Sequence, residues 1–123
     1  MNRESDPIRA AVIGCGRNGV HKHVRGLAAE PRTRIVALCD LDESLAEQAR
    51  AVAVGIDPSS AEAATYADWQ RVVDDGSVDV IHVSTANSLH APISIAALGA
   101  GKHVMCEKPM ATTVANAQAM LDA

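Results

Sequence analysis

Ile8-Arg9-Ala10-Ala11-Val12-Ile13-Gly14-Cys15-Gly16-Arg17-Asn18-Gly19 is an apolar run that empties into a glycine turn with GxGxxG spacing. The run from Ile8 to Ile13 reads as a strand. Beyond the turn, Val20, Val24, Leu27 and Ala28 recur at i, i+4, i+7 and i+8, one face of a helix. Ile35-Val36-Ala37-Leu38-Cys39 reads as a second strand, and Asp40 stands at its end, about 20 residues beyond Gly19. A strand, glycine turn, helix, strand and terminal acid in this order suit a dinucleotide. The first glycine permits the sharp turn, the second lets a pyrophosphate approach the backbone, and the third lets the helix pack on the strand. The helix start presents free N–H groups and the positive end of its dipole. Asp40 suits a ribose 2′-hydroxyl and repels a 2′-phosphate, so NAD is expected in preference to NADP.

Working outward, Glu30-Pro31-Arg32-Thr33 breaks the first helix. Leu41 to Val54 reads as a helix capped by Asp42 or Ser44, with Leu45, Ala49, Val52 and Ala53 on one face and Gly55 as its stop. A loop over residues 56–62 leads to a short edge strand, Ala63 to Tyr66. Asp68 caps a short helix that buries Trp69, Val72 and Val73 and ends at Asp74-Asp75-Gly76-Ser77. Val78 to Ser84 is the fourth strand. His82 inside it reads as a packed, hydrogen-bonded residue rather than a metal ligand. After the polar turn Thr85-Ala86-Asn87-Ser88-Leu89, a helix runs from His90 to Ala100 with Pro92 in its first turn, facing Ile93, Ala96, Ala97 and Ala100 inward. His103 to Cys106 is the fifth strand, followed by Glu107-Lys108-Pro109. Thr112 or Thr113 caps a last helix with Val114, Ala117 and Leu121 on one face. Five strands alternating with helices give an α/β fold: a doubly wound parallel sheet in the order 3-2-1-4-5. The glycine turn, Asp40, the Thr85–Ser88 turn and Glu107-Lys108 all fall at the carboxyl edge of that sheet.

Composition bounds the function. The 123 residues suit one domain over residues 8–123 behind a loose lead-in, residues 1–7. Phenylalanine is absent and Trp69 and Tyr66 are the sole aromatics, so Val, Ile, Leu and Ala must build the core. The formal net charge of -4 argues against a general nucleic-acid partner or an anionic membrane surface. No apolar run reaches the ~20 residues of a membrane span, and residues 1–7 lack a signal-peptide core, so a cytoplasmic location is expected. Cys15, Cys39 and Cys106 are spaced for neither a disulfide framework nor zinc, and read as small buried hydrophobes.

Three segments carry a family resemblance: Ala11 to Arg17 with Cys39-Asp40, Thr85 to His90, and Ala100-Gly101-Lys102-His103-Val104-Met105-Cys106-Glu107-Lys108-Pro109. Together they resemble the amino-terminal, NAD-binding Rossmann domain of the Gfo/Idh/MocA family, the glucose-fructose oxidoreductase and inositol dehydrogenase group. The resemblance implies that Gly14, Cys15, Gly16, Arg17, Asn18 and Gly19 hold the pyrophosphate and Asp40 the adenosine ribose. It implies that Thr85, Asn87 and His90 line the cofactor's path, that Glu107 meets the nicotinamide ribose, and that Lys108 is the catalytic residue near the reacting hydroxyl. It also implies that the Lys108–Pro109 bond is often cis. Ala86 replaces a usual proline, Asn18 a frequent apolar residue, and His21 and His23 are expected to face solvent.

Family members continue into a second α/β domain with the sugar pocket and an Asp-x-x-x-His pair. That domain is expected to be absent here, leaving a fragment that binds NAD without turnover. The parent would be an NAD-dependent oxidoreductase acting on a secondary alcohol of a sugar, polyol or inositol. Two alternatives stand beside it. One is a non-catalytic NAD-binding module that senses cofactor or pairs with another chain or its own copy. The other is an S-adenosylmethionine methyltransferase, which shares the glycine turn and acid but lacks Glu-Lys-Pro.

Overall fold

The computed structural model describes residues 6–123; most of the expected lead-in, residues 1–5, lies outside the described residues. Strand β1 (Ile8–Ile13) is the centre of a five-stranded parallel sheet. Beside it run β2 (Thr33–Cys39) and β4 (Val80–Val83), flanked by β3 (Ala64–Tyr66) and β5 (His103–Cys106), giving the order 3-2-1-4-5. The last four residues of β1 are buried because both faces of a parallel sheet are covered. Side chains alternate between faces along a strand. Ala10 and Val12 therefore enter one core with Val24, Leu27, Ile35 and Leu38. Ala11 and Ile13 enter the other with Val72, Ile81, Val83 and Ile93. A bulge between Ala10 and Ala11, opposite Val36, shifts the β1–β2 register by one residue.

The helices differ from expectation in instructive places. A π-helix, Gly19–Val24, runs directly into α1 (Arg25–Ala29). Helix α2 (Glu43–Ile56) is capped by Asp42, whose carboxylate accepts from the Ser44 N–H, and it buries Ala46, Ala49 and Ala53. Gly55 lies inside α2 and does not stop it. The stop is Asp57-Pro58, because proline bars the preceding residue from helical geometry. The loop expected over residues 56–62 is largely a 3-10 turn, Pro58–Glu62.

Helix α3 (Trp69–Val73) is capped by Asp68, as expected. Helix α4 (His90–Gly99) follows a 3-10 turn, Asn87–Leu89, and Gly101 follows its cap residue Ala100 with φ +80°, the left-handed region favoured just past a helix end. Ala100, expected inward, is exposed. Helix α5 (Val114–Asp122) is capped by Thr113. Its buried residue is Met120, whereas Val114 and Leu121, expected to face the core, are 88% and 72% exposed. The helix is apolar on more than one side, and its packing on α4 selects the Met120 side. No helix among the described residues is long and apolar enough to cross a membrane.

Candidate cofactor site

Parallel strands end together, so the loops leaving β1, β2 and β4 meet at one edge. Gly14 leaves β1 with φ +98°, and its N–H donates to the Cys39 carbonyl at 2.8 Å. A Cβ at Gly14 would stand 2.5 Å from the Ser84 carbonyl oxygen. A Cβ at Gly19 would meet the Gly14 carbonyl oxygen at 1.9 Å. Gly14 and Gly19 are thus glycine for internal reasons: the turn folds back on itself and on the end of β4. Gly16 is different. A Cβ there would meet nothing within 4 Å, so its lack of a side chain serves nothing inside the chain. Open space above the second glycine fits a pyrophosphate approaching the backbone.

Asp40 closes the other side. Its Oδ2 accepts from the Cys15 N–H and its Oδ1 from the Asp42 N–H, both at 2.9 Å. Each carboxylate oxygen keeps a second lone pair for an outside donor. Ser84 locks the turn from β4, donating from Oγ to the Gly14 carbonyl at 2.7 Å. Between them lies a cleft of ≈ 260 Å³ lined by Gly14, Gly16, Asp40 and Thr85, together with Leu41, Trp69, Ser84 and Leu89. The last four were not picked out from sequence. Leu41 had a signal, an apolar residue directly after the acid, and it is 83% exposed. Trp69 read as ordinary helix core, and only the fold brings it opposite Leu41.

The remaining expected residues do not line this cleft. The Cys15 side chain is buried, and burial, aided by the Asp40 charge, pushes its thiol up to about 12. Burial likewise raises Cys39 to about 12. Arg17, Asn18, Asn87 and Lys108 are exposed. His90 is 1% exposed; its Nδ1 lies 2.7 Å from the Pro109 carbonyl and its Nε2 3.1 Å from the Thr85 carbonyl. The Lys108–Pro109 bond is cis.

Glu107 is joined to the helix after the glycine turn. Its Oε1 lies 2.9 Å from His23 Nε2, and its Oε2 accepts from the Lys108 N–H at 3.2 Å. The hydrogen bond from His23 lowers the Glu107 carboxyl below its ordinary range. His23 Nδ1 in turn faces His82 Nδ1 at 2.9 Å, the rings edge to face. His23 therefore does not face solvent as expected: its side chain is 10% exposed. His82 is held by a hydrogen bond, and burial pulls its ring down to about 4.

Comparison with known proteins agrees with this architecture. Residues 8–123 match the family model for the Gfo/Idh/MocA oxidoreductases, NAD-binding Rossmann fold. The chain is 34% identical over 117 residues to inositol 2-dehydrogenase of Salmonella typhimurium, covering 94% of this chain and 33% of that protein. It superposes on myo-inositol dehydrogenase of Lactobacillus casei, solved with NAD(H) and myo-inositol, with TM-score 0.80 and 28% identity over 94% of this chain and 32% of that one. It superposes equally on a 3-ketoreductase from Actinomadura kijaniata solved with NADP, with TM-score 0.82 and 27% identity over 95% of this chain and 35% of that one. The chain spans about a third of the length of the relatives it matches. A sheet of order 3-2-1-4-5, a glycine turn shaped by its own packing and a match along residues 8–123 have one common explanation: the chain belongs to the Gfo/Idh/MocA oxidoreductase family and carries its NAD-binding Rossmann fold.

Proposed function

We propose that these residues bind NAD(H) in preference to NADP(H), as the cofactor half of an oxidoreductase acting on a secondary alcohol of a sugar, polyol or inositol. The observation that carries the reading is the pairing of Gly16, open above its Cα, with Asp40 across one cleft. The inositol and sugar substrates named for the relatives support the substrate class.

Each residue then has a task. Backbone N–H groups of the Gly14–Gly19 turn bind the pyrophosphate, apart from those of Gly14 and Cys15, which donate to Cys39 and Asp40. Asp40 accepts from the adenosine ribose and rejects a 2′-phosphate by charge. Leu41 and Trp69 offer apolar surface to the adenine end. Thr85 and Asn87 flank the path to the nicotinamide end, where Glu107 accepts from the second ribose. His90 acts on that path through the loops that it ties together. The bound nicotinamide supplies hydride transfer. Lys108 orients the substrate hydroxyl and stabilises charge on its oxygen. The proton itself needs a further acid/base group, so the assignment for these 123 residues is cofactor binding without turnover.

The test is a fluorescence titration of the chain with NADH, NADPH and S-adenosylmethionine, repeated with Asp40→Ala. NADH should bind about ten-fold tighter than NADPH, consistent with one full charge conflict. Asp40→Ala should narrow that gap. Equal affinity for the two nicotinamides would overturn the preference. Binding of neither would overturn the cofactor assignment.

A further inference from the structure

Glu107, His23 and His82 come from three separate elements: the end of β5, the π-helix after the glycine turn, and β4. Their contacts form one line, with 2.9 Å from Glu107 Oε1 to His23 Nε2 and 2.9 Å from His23 Nδ1 to His82 Nδ1. An ionised carboxylate only accepts, so His23 Nε2 carries a proton. With that ring neutral, His23 Nδ1 is an acceptor, and His82 must present its proton at Nδ1. For neutral rings one arrangement satisfies all three groups: His82 donates to His23, and His23 donates to Glu107. An oriented imidazole behind a carboxylate, itself oriented by a second group, is how a side chain is held in one rotamer and one protonation form.

We propose that His23 is the positioning residue for Glu107, with His82 behind it fixing which nitrogen of His23 carries the proton. The inference rests on the assignment of Glu107 to the nicotinamide ribose. It adds a coupling between the two ends of the cofactor. The π-helix that carries His23 begins at Gly19, the last residue of the pyrophosphate turn. The turn that grips the phosphates and the carboxylate that grips the second ribose are then joined by one short rigid element. Insertions of this helical form recur at functional sites. The other charged groups around Glu107 are Lys22, on the same π-helix, and Lys108, next in the chain.

The experiment compares NADH with ADP, which shares the adenosine and pyrophosphate and lacks the nicotinamide riboside. Titrations are run on the wild-type chain, Glu107→Gln, His23→Leu, His23→Gln and His82→Leu. His23→Leu should weaken NADH about ten-fold, the scale of one hydrogen bond to a charged group, and leave ADP unchanged. His23→Gln retains an amide donor and should recover part of the loss. His82→Leu should cost less than His23→Leu. Carbon-13 NMR of the Glu107 carboxyl, with no ligand present, supplies a second readout: its pKa should rise in His23→Leu toward the ordinary carboxylate value.

Unchanged NADH affinity in His23→Leu beside a loss in Glu107→Gln would overturn the positioning role. Equal loss of ADP and NADH in both His23 variants would reduce His23 to a folding residue, which also overturns it. An unmoved Glu107 titration would show that the contact does not form in solution. Wild-type NADH no tighter than ADP, with a normal Glu107 shift, would instead overturn the ribose assignment and the role built on it, leaving only the contact.

Discussion

At the residue scale, the three glycines of one motif do different work, and the difference is measurable. Gly19→Ala drives a Cβ to 1.9 Å from a backbone carbonyl, which cannot rotate away as a side chain would. The turn or the helix must shift, at a cost of about 3 kcal/mol, the upper part of the range for overpacking. Gly16→Ala meets nothing within 4 Å and should leave stability within about 0.5 kcal/mol of wild type. If the pyrophosphate comes over Gly16, that same methyl blocks it. Urea denaturation and NADH titration on the two variants should therefore separate: Gly19→Ala loses stability, and Gly16→Ala loses cofactor affinity while folding normally. Normal NADH binding by Gly16→Ala would place the phosphates elsewhere. The motif's spacing was legible in the sequence. The task of each glycine was legible with it, but the atoms that Gly14 and Gly19 crowd were not, because only the fold brings Ser84 and the turn's own carbonyls close.

At the element scale, regular elements were legible and their partners were not. The bounds of β1 and β5 follow from apolar runs between glycine and charged punctuation, and the Asp68 cap follows from its position before an apolar face. The π-helix has no such signature. An amphipathic pattern over Val20, Val24 and Leu27 fits an ordinary helix, and nothing in it aims His23 inward. His23 is half-buried because His82 and Glu107, distant in sequence, meet it on that side.

His90 makes the same point for the loops. Its two ring nitrogens face the Thr85 and Pro109 carbonyls, so one buried ring ties the loop after β4 to the loop after β5. His90→Ala removes the ring that both carbonyls face, with the hydrogen bond its N–H makes to one of them, and should cost about 2 kcal/mol. Amide hydrogen exchange should rise over residues 85–88 and 107–113 and remain unchanged in β1 and β2. A stability loss spread evenly over the sheet would mean that His90 serves the core and not the loops.

At the scale of the whole molecule, the sheet order was legible because crossover handedness and a switch point beside the first strand leave few choices for five alternating units. Which side of α5 is buried was not, since Val114, Met120 and Leu121 are all apolar and packing chose Met120. Global stability also carries a trace of the half-buried histidine pair, with a definite sign. His82 takes a proton at about 6.5 when unfolded, and burial beside His23 lowers that to about 4 in the folded chain. Above 6.5 both states are neutral at His82, and its contribution is fully present. As pH falls from 6.5 toward 4 the unfolded chain binds the proton first, so that stability is progressively lost. Glu107 and Asp75, both lowered by hydrogen bonds, lose their contributions only further down, as pH falls through their own depressed values. The thermal midpoint should therefore decline in two stages, the first between pH 6.5 and about 4.5, where ordinary carboxylates are still ionised. His82→Leu should flatten the first stage and keep the second. A first stage that survives unchanged in His82→Leu would overturn its assignment to His82.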